Sequence, residues 1–271
     1  MNAKVPIQDL SNEAIASRMT GLALNLYYDE ARLMLPADVR DMFSETLDEC
    51  NRRGMAQLQV VPPCIHQNDP LPKIYSGQLI RYDKRDRLER LMQGIISFGP
   101  SHIYKNAPIE AQQDDEMQRR FLYPNQVVTI GEVQYPASNI VLHSHIAEED
   151  GTPIHYHLFC AAYEGSQKLC RAFHADGYVW IRDYRQFLAL LEAELKRTSP
   201  EAAFLGGKVR YYDDREGHDS KTLEDVIFCK TIDYIYQREY RIAILGTSQP
   251  HERFEVQISV PDGLLELQLA Q

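Results

Sequence analysis

The chain has 271 residues, enough to bury a substantial core as one large domain or as one domain with a sizeable extension. A composition of 44% hydrophobic and 25% charged residues is that of an ordinary globular protein. The balance of 29 basic against 39 acidic residues, a net charge of −10, argues against broad charge-driven binding to nucleic acid or an anionic membrane and leaves room only for a local basic groove.

No stretch is apolar for long enough to span a bilayer, and no apolar run of signal-peptide kind follows Met1-Asn2-Ala3-Lys4, so the sequence predicts a soluble, cytoplasmic protein. Cys50, Cys64, Cys160, Cys170 and Cys229 are an odd number without CxxC spacing and read as reduced thiols. Taken in order, residues 11–54 read as helical. Ser11-Asn12-Glu13 caps a helix that carries Ile15, Met19, Leu22 and Leu26, and a second helix after Pro36 places Val39, Met42, Phe43, Leu47 and Cys50 on one side and stops at Gly54. The proline-rich stretch 60–72 is the expected domain boundary, between a helical N-terminal extension over 1–60 and a domain over 73–271.

Beyond it the pattern predicts a strand over 78–82, a helix from 83 ending at Gly94 with Leu88, Leu91 and Met92 on its buried side, and a strand over 95–98. An acidic, amide-rich surface loop or short helix over 110–118 follows. Strands are expected over 126–130, 139–146 and 154–162. The last two are joined across Glu148-Glu149-Asp150-Gly151 as a β-hairpin. A strand over 177–181 leads into a helix over 184–197, then come a strand over 208–212, a helix over 223–230 and two alternating strands, 254–260 and 264–269, around Pro261-Asp262-Gly263. Many short strands with few helices between them indicate an α+β domain with a mostly antiparallel, split sheet.

The stretch 234–245 reads as one strand closed by Gly246. A period of two puts Gln237, Glu239 and Arg241 on one face, and Tyr236, Arg238, Tyr240 and Ile242 on the other. An amide, a carboxylate and a guanidinium in a row are costly on a core face unless partnered, so the row is a solvated edge or the wall of a polar cleft.

Ile80-Arg81-Tyr82, the helix ending at Gly94, Ile96-Ser97-Phe98-Gly99-Pro100 and Asn106-Ala107-Pro108-Ile109-Glu110 together resemble an uncharacterised bacterial family patterned Arg-Tyr, helix, Gly, strand, aromatic-Pro, Asn-Asp-Pro-x-Glu. Phe159-Cys160-Ala161 resembles its Cys-Phe-Ser strand, and Phe228-x-Lys230 before Gln237-x-Glu239-x-Arg241 resembles its Lys and Glu-x-Glu-x-Arg ending. The same layout is similar to the ADP-ribosyltransferase superfamily, with an Arg on the first strand and a Gln-x-Glu on a late one. The resemblance covers roughly residues 78–244. It implies an α+β fold with a mostly antiparallel split β-sheet of ADP-ribosyltransferase type, NAD as the substrate that supplies ADP-ribose, and a macromolecular acceptor, nucleic acid or protein. It also implies a bacterial toxin or phage-defence effector held by a neutralising antitoxin, with no membrane partner.

By that resemblance Glu239 is the catalytic carboxylate, which stabilises positive charge as the bond to nicotinamide loosens. Gln237 is the acceptor-side residue, Arg81 the pyrophosphate anchor, and Tyr82, Phe98 and Tyr104 are the aromatic candidates for the nicotinamide pocket. The chain departs from the pattern at Ala107, where the family has Asp, at Ala161, where a Ser would help position the cofactor, and at Gln237, where the bacterial family has Glu. Two other readings stand beside this one: a non-catalytic or metal-binding partner-recognition module on the same fold, and an NAD hydrolase with water as acceptor.

A competing constellation lies in the expected hairpin. His143 and His145 share one strand face and His155 and His157 another. With the turn near Asp150-Gly151, His143 faces His157 and His145 faces His155, within reach of one zinc ion. A polar cleft wall, or a face turned to RNA or a partner, is the preferred role for them, and the transferase reading assigns no metal ligand.

Overall fold

The computed structural model describes residues 6–29, 37–55, 77–107, 118–122, 127–130, 133–136, 141–145, 154–163, 165, 167–213 and 226–269. In chain order the helices and strands are α1 Asn12–Asp29, α2 Ala37–Arg52, β1 Leu79–Asp83, α3 Arg85–Met92, β2 Ile95–Pro100, β3 Gln118–Leu122, β4 Val127–Ile130, β5 Val133–Pro136, β6 Val141–His145, β7 Tyr156–Ala162, α4 Gln167–Ala172 and β8 Gly177–Ile181. They continue with α5 Tyr184–Thr198, β9 Ala203–Lys208, β10 Arg210–Tyr212, β11 Cys229–Thr231, β12 Glu239–Leu245, β13 Phe254–Gln257 and β14 Leu265–Leu269. No helix among the described residues is long and apolar enough to cross a membrane.

The chain forms two compact units that do not follow chain order. One draws on Met1–Cys64, Gln118–His145 and Arg210–Tyr236, the other on Ile65–Met117, Ile146–Val209 and Gln237–Gln271. The composition break near residue 60 therefore does not separate a lone helical extension from everything after it, because two later segments join the N-terminal helices in one unit.

In the unit that holds the N-terminus, the Ser11 hydroxyl caps α1 by accepting from the Ala14 amide at 3.1 Å. Ile15 and Leu22 are fully buried along the expected stripe. The stripe of α2 differs from expectation: Met42 and Cys50 are buried, Leu47 is 37% exposed, and the polar Thr46 and Glu49 are buried instead. Each has its partner. The Arg18 guanidinium donates to both carboxylate oxygens of Asp213, at 2.8 and 3.0 Å, and to the Thr46 hydroxyl at 3.2 Å. Glu49 accepts from Arg52 and Arg53, and Arg53 also donates to the Gln8 and Leu10 carbonyls, which ties the chain start to the end of α2. Three two-stranded sheets complete the described part of this unit: β3 with β6 and β4 with β5 antiparallel, β10 with β11 parallel.

The other unit is an eight-stranded sheet in the order β13-β2-β7-β1-β8-β14, with β12 beside β7 and β9 outside β12. Every pairing in it is antiparallel. The α+β expectation with a mostly antiparallel sheet holds at that level. Helices α3 and α5 cover one face, where Leu88, Leu91, Phe187, Leu191 and Leu195 pack on Phe98, Phe159, Val179, Ile242 and Ile244. Asp183 caps α5 through its Oδ1, which accepts the Arg185 and Gln186 amides at 3.0 and 3.1 Å.

Several pairings differ from the expected ones. β6 pairs with β3 and β7 with β12, so the hairpin expected across 148–151 does not form between them. The strands flanking Pro261-Asp262-Gly263 also do not pair with each other, since β13 lies on β2 and β14 on β8. In both cases a long-range edge outcompetes the local turn signal.

Two glycines with nearly equal positive φ separate backbone strain from lack of space. Gly94 (φ +82°) ends the turn after α3, and a Cβ there would stand 2.1 Å from the Ile258 carbonyl oxygen; Gly263 (φ +78°) has open space around the same position. Gly263→Ala is expected to cost about 1–2 kcal/mol, the left-handed penalty alone, and Gly94→Ala about 3 kcal/mol or more, since backbone must also move. Denaturant unfolding of the two variants checks the difference.

Glu49 supplies a pH test. Hydrogen bonds from Arg52 and then Arg53 lower its pKa from the ordinary 4.5 to about 2. Its folded pKa is depressed, so its contribution is fully present above pH 4.5 and is lost as pH falls toward 2. The stability gap between the native chain and Glu49→Gln, measured by urea unfolding, should be constant above pH 5 and shrink steadily between pH 4.5 and 2.

Candidate functional site

β12 is held between β7 on one edge and β9 on the other, and all seven of its residues are buried. The strand is shorter than its sequence suggests. Ile232–Gln237 is a 3-10 turn, Arg238 takes a left-handed conformation (φ 46°), and extended backbone begins only at Glu239. The alternation expected from Tyr234 therefore applies from Glu239 onward. Gln237 is 3% exposed but lies on the turn and not on the strand face assigned to it. A non-glycine residue at positive φ persists only where its surroundings hold it; here the Arg238 carbonyl accepts the Tyr163 amide at 2.8 Å.

Within the strand the parity argument works. Tyr240, Ile242 and Ile244 enter the core under α3 and α5, which turns Glu239 and Arg241 to the opposite face. There Arg241 Nε donates to Glu239 Oε1 at 2.8 Å, and Nη2 approaches Oε2 at 3.4 Å. Arg241 is 0% exposed and Glu239 6%. The row is neither a solvated edge nor an open cleft wall but a closed ion pair.

Arg81 sits where the sheet divides. β12 fills one edge of β7 from end to end, so β2 and β1 share the other: Pro100 and Gly99 pair with His157 and Leu158, and Ile80 pairs with Ala162. The Arg81 guanidinium enters the gap left between them. It donates to the Cys160 carbonyl at 2.5 Å and to Asp83 Oδ2 at 2.6 Å, and its carbon lies 5.0 Å from the Phe159 ring centroid. Burial opposes its charge most strongly, and Asp83, Tyr104 and Cys160 together outweigh it, so its pKa stands above the ordinary arginine value.

Ala162 is the shared partner of Ile80 and Glu239, so Ile80 shares the rung of Glu239 two strand spacings or about 10 Å away, and Arg81 follows Ile80 by one residue, close in the sheet to Glu239. Strand alternation nevertheless starts their side chains on opposite faces. Arg81 also lines a recess of about 140 Å³ with Asp83, Arg87, Phe159, Arg253 and Glu255. That volume is below the roughly 300 Å³ at which pockets begin to enclose small-molecule ligands.

The aromatic candidates divide. Phe98 is 0% exposed, with its ring against Phe159 in the core, and is corrected to a packing residue. Tyr82 is 6% exposed and wedged against Phe173 and Tyr178; it too is filled in by protein. Tyr104, on the 3-10 turn Ser101–Asn106, is half-buried, and its hydroxyl approaches β2 where only a glycine, Gly99, leaves room. Ala161 belongs to the core face, away from Glu239, and Ala107 is buried after the 3-10 turn.

The hairpin register behind the four-histidine zinc set does not form, because β6, which carries His143 and His145, pairs with β3. His157 is fully buried, its Nε2 donating to the Glu252 carbonyl at 2.7 Å and its Nδ1 facing the Thr247 hydroxyl at 3.3 Å. Burial lowers its pKa below the ordinary 6.5. His155 gathers instead with His102 and His251, which sequence reading missed. The signal for His102 lay in the β2–β7 register: Pro100 opposite His157 continues to His102 opposite His155. Comparison with family models, with curated proteins and with solved structures finds no match to this chain.

The closed Glu239–Arg241 pair makes a stability prediction. Arg241→Met leaves a buried carboxylate without its guanidinium and is expected to cost about 3–5 kcal/mol. Glu239→Gln with Arg241→Met removes both charges and should be less destabilised than Arg241→Met alone. A double-mutant cycle by denaturant unfolding reads the coupling, and additive losses would mean that the two groups do not depend on each other.

Proposed function

We propose that the eight-stranded unit is an NAD-dependent ADP-ribosyl-transferring module acting on a macromolecular acceptor, nucleic acid or protein. The observation that carries this reading is the buried Glu239 carboxylate, held in place by Arg241 at 2.8 Å on a strand two spacings from β1 with its Arg81. The residues fit NAD in part. A carboxylate, a guanidinium and the half-buried Tyr104 suit it, and Tyr82 and Phe98 drop out of the ligand-facing set.

Bound NAD would supply an electrophilic ribose carbon with nicotinamide as its leaving group. Glu239, held in orientation by Arg241, keeps negative charge at a fixed place in a site of low dielectric, where it acts on developing positive charge most strongly. Arg81 has a planar donor fork suited to a pyrophosphate, with Tyr104 a ring face beside it, and to meet the same NAD as Glu239 it would have to leave Asp83 and the Cys160 carbonyl and turn from the other face of the sheet. Gln237, at the mouth of β12, has an amide that donates and accepts together, as the edge of a nucleobase or a carboxamide requires. The role in a toxin–antitoxin or phage-defence setting belongs to the same proposal and follows from the resemblance, as does water as an alternative acceptor.

A second reading, partner recognition without transfer, is favoured by one observation: both carboxylate oxygens of Glu239 already face Arg241. Incubation with labelled NAD and a cell lysate separates the two. The transferase reading expects label on the protein or nucleic-acid fraction, and a folded Glu239→Gln variant slower by about 100-fold or more. Native chain that neither consumes NAD nor gains thermal stability from it supports the binding module, and a folded Glu239→Gln chain with unchanged transfer overturns the catalytic assignment.

A further inference from the structure

Beyond that reading, we propose that His102, His155 and His251 form a binding site for a transition-metal dication of the zinc class, with one coordination position left open. Each histidine offers a ring nitrogen, and the three nitrogens lie within 4.8 Å of one another. The ring centroids stand 4.5 Å apart for His155 and His251, 5.4 Å for His102 and His251, and 6.3 Å for His102 and His155, with interplanar angles of 72–88°.

Three separate elements bring them together. His102 rides the 3-10 turn that follows β2, and His155 directly precedes β7, so the Pro100–His157 pairing sets the two side by side. His251 comes from the connection between β12 and β13. His157 pins that connection to β7, with Nε2 donating to the Glu252 carbonyl and Nδ1 facing the Thr247 hydroxyl. Both its ring nitrogens are committed to this loop, which makes His157 a positioning residue for His251 and not a ligand.

The site asks for a cation on its own terms. The Nδ1 of His155 is buried and has no hydrogen-bond partner among the described residues, a costly state for a polar atom unless something else satisfies it. His102 and His251 are exposed, so modest rotation of their rings can draw the nitrogens in to the roughly 3.3 Å spacing that bonds of about 2.0–2.1 Å to a tetrahedral zinc ion require. No carboxylate or thiolate joins the group among the described residues. An all-imidazole set selects zinc, cobalt, nickel or copper and disfavours magnesium and calcium, which take oxygen ligands. Three protein ligands, with two of them at the surface, leave a fourth position for water or an anion.

The test uses the full chain without a polyhistidine tag, stripped with a chelator, then titrated with zinc against a metal-binding dye and separately with cobalt followed by visible absorption. One ion per chain is expected, with a cobalt spectrum of tetrahedral intensity and a zinc-dependent rise in thermal stability. His102→Ala and His251→Ala, both at exposed positions, should each weaken binding by about 100-fold or more while melting like the native chain in chelator. His174→Ala, an exposed histidine elsewhere in the unit, should change nothing. The proposal is overturned by no binding at micromolar zinc, by an octahedral cobalt spectrum, or by affinity that survives His102→Ala and His251→Ala or falls with His174→Ala.

Discussion

β7 is the strand on which the larger sheet depends, and the controlling constraint is that a strand has only two edges. β12 occupies one of them without interruption, from Glu239 opposite Ala162 to Leu245 opposite Tyr156. β2 and β1 must then divide the remaining edge, one at each end, and three residues of β7 between them find no ladder partner on that side. Unpaired backbone inside a protein is expensive, and Arg81 offsets part of that cost by donating to the Cys160 carbonyl in the gap. A charged side chain there needs a counter-charge, which Asp83 supplies from the same face of β1. The polar chemistry at the centre of the sheet is thus a consequence of topology before it is a matter of any ligand.

The same constraint explains why β12 carries a charged pair in a fully buried strand. Its core-facing residues are aliphatic or aromatic and fill the space under α5, with Tyr240 lying against Tyr184. Its other face receives Glu239 and Arg241, two residues apart and therefore side by side. A buried pair of this kind is weak evidence for stability, since well-packed apolar residues would do as well. Its physical effect is to keep a carboxylate charged and oriented where water is excluded. That property is what a catalytic carboxylate needs, and it would equally fix a polar anchor for a partner.

Local signals in the sequence were legible where one face of an element decides its fate. The periodicity of residues 184–197 gave α5 to within a residue, and residues 177–181 gave β8 without error. Pairing was not legible, because it depends on which distant edge is free. The Asp150-Gly151 turn signal suggested β6 beside β7, but β12 and β2 take both edges of β7 around His157. β9 went unseen as well: its Gly206 and Gly207 lack the branched side chains that announce a strand, and it forms because β12 offers an edge.

The motif resemblance makes Phe98 a ligand-facing ring because it carries residue type but not burial, and Phe98 belongs to the core. Glu239 and Arg241 were found because parity within one strand is a local property. Gln237 was misplaced because a single left-handed residue, Arg238, separates it from that strand.

β7 also fixes the distance between the two candidate sites. His155 stands just before its first residue, and Ala162, the rung shared with Glu239, is its last. Seven residues of extended chain at about 3.3 Å each separate them by roughly 23 Å. A cation held by the histidines could not touch a ligand carbon beside Glu239, so neither site can serve as the other's missing part. Coupling between them would have to pass through β7 or the β12–β13 connection, and His157 is the residue common to both routes: it lies in the strand and holds the connection by both ring nitrogens. Its burial lowers its pKa and so favours the neutral ring. β7 therefore stands between two candidate sites, one with charge excluded from water beside its last residue and one with imidazoles beside its first.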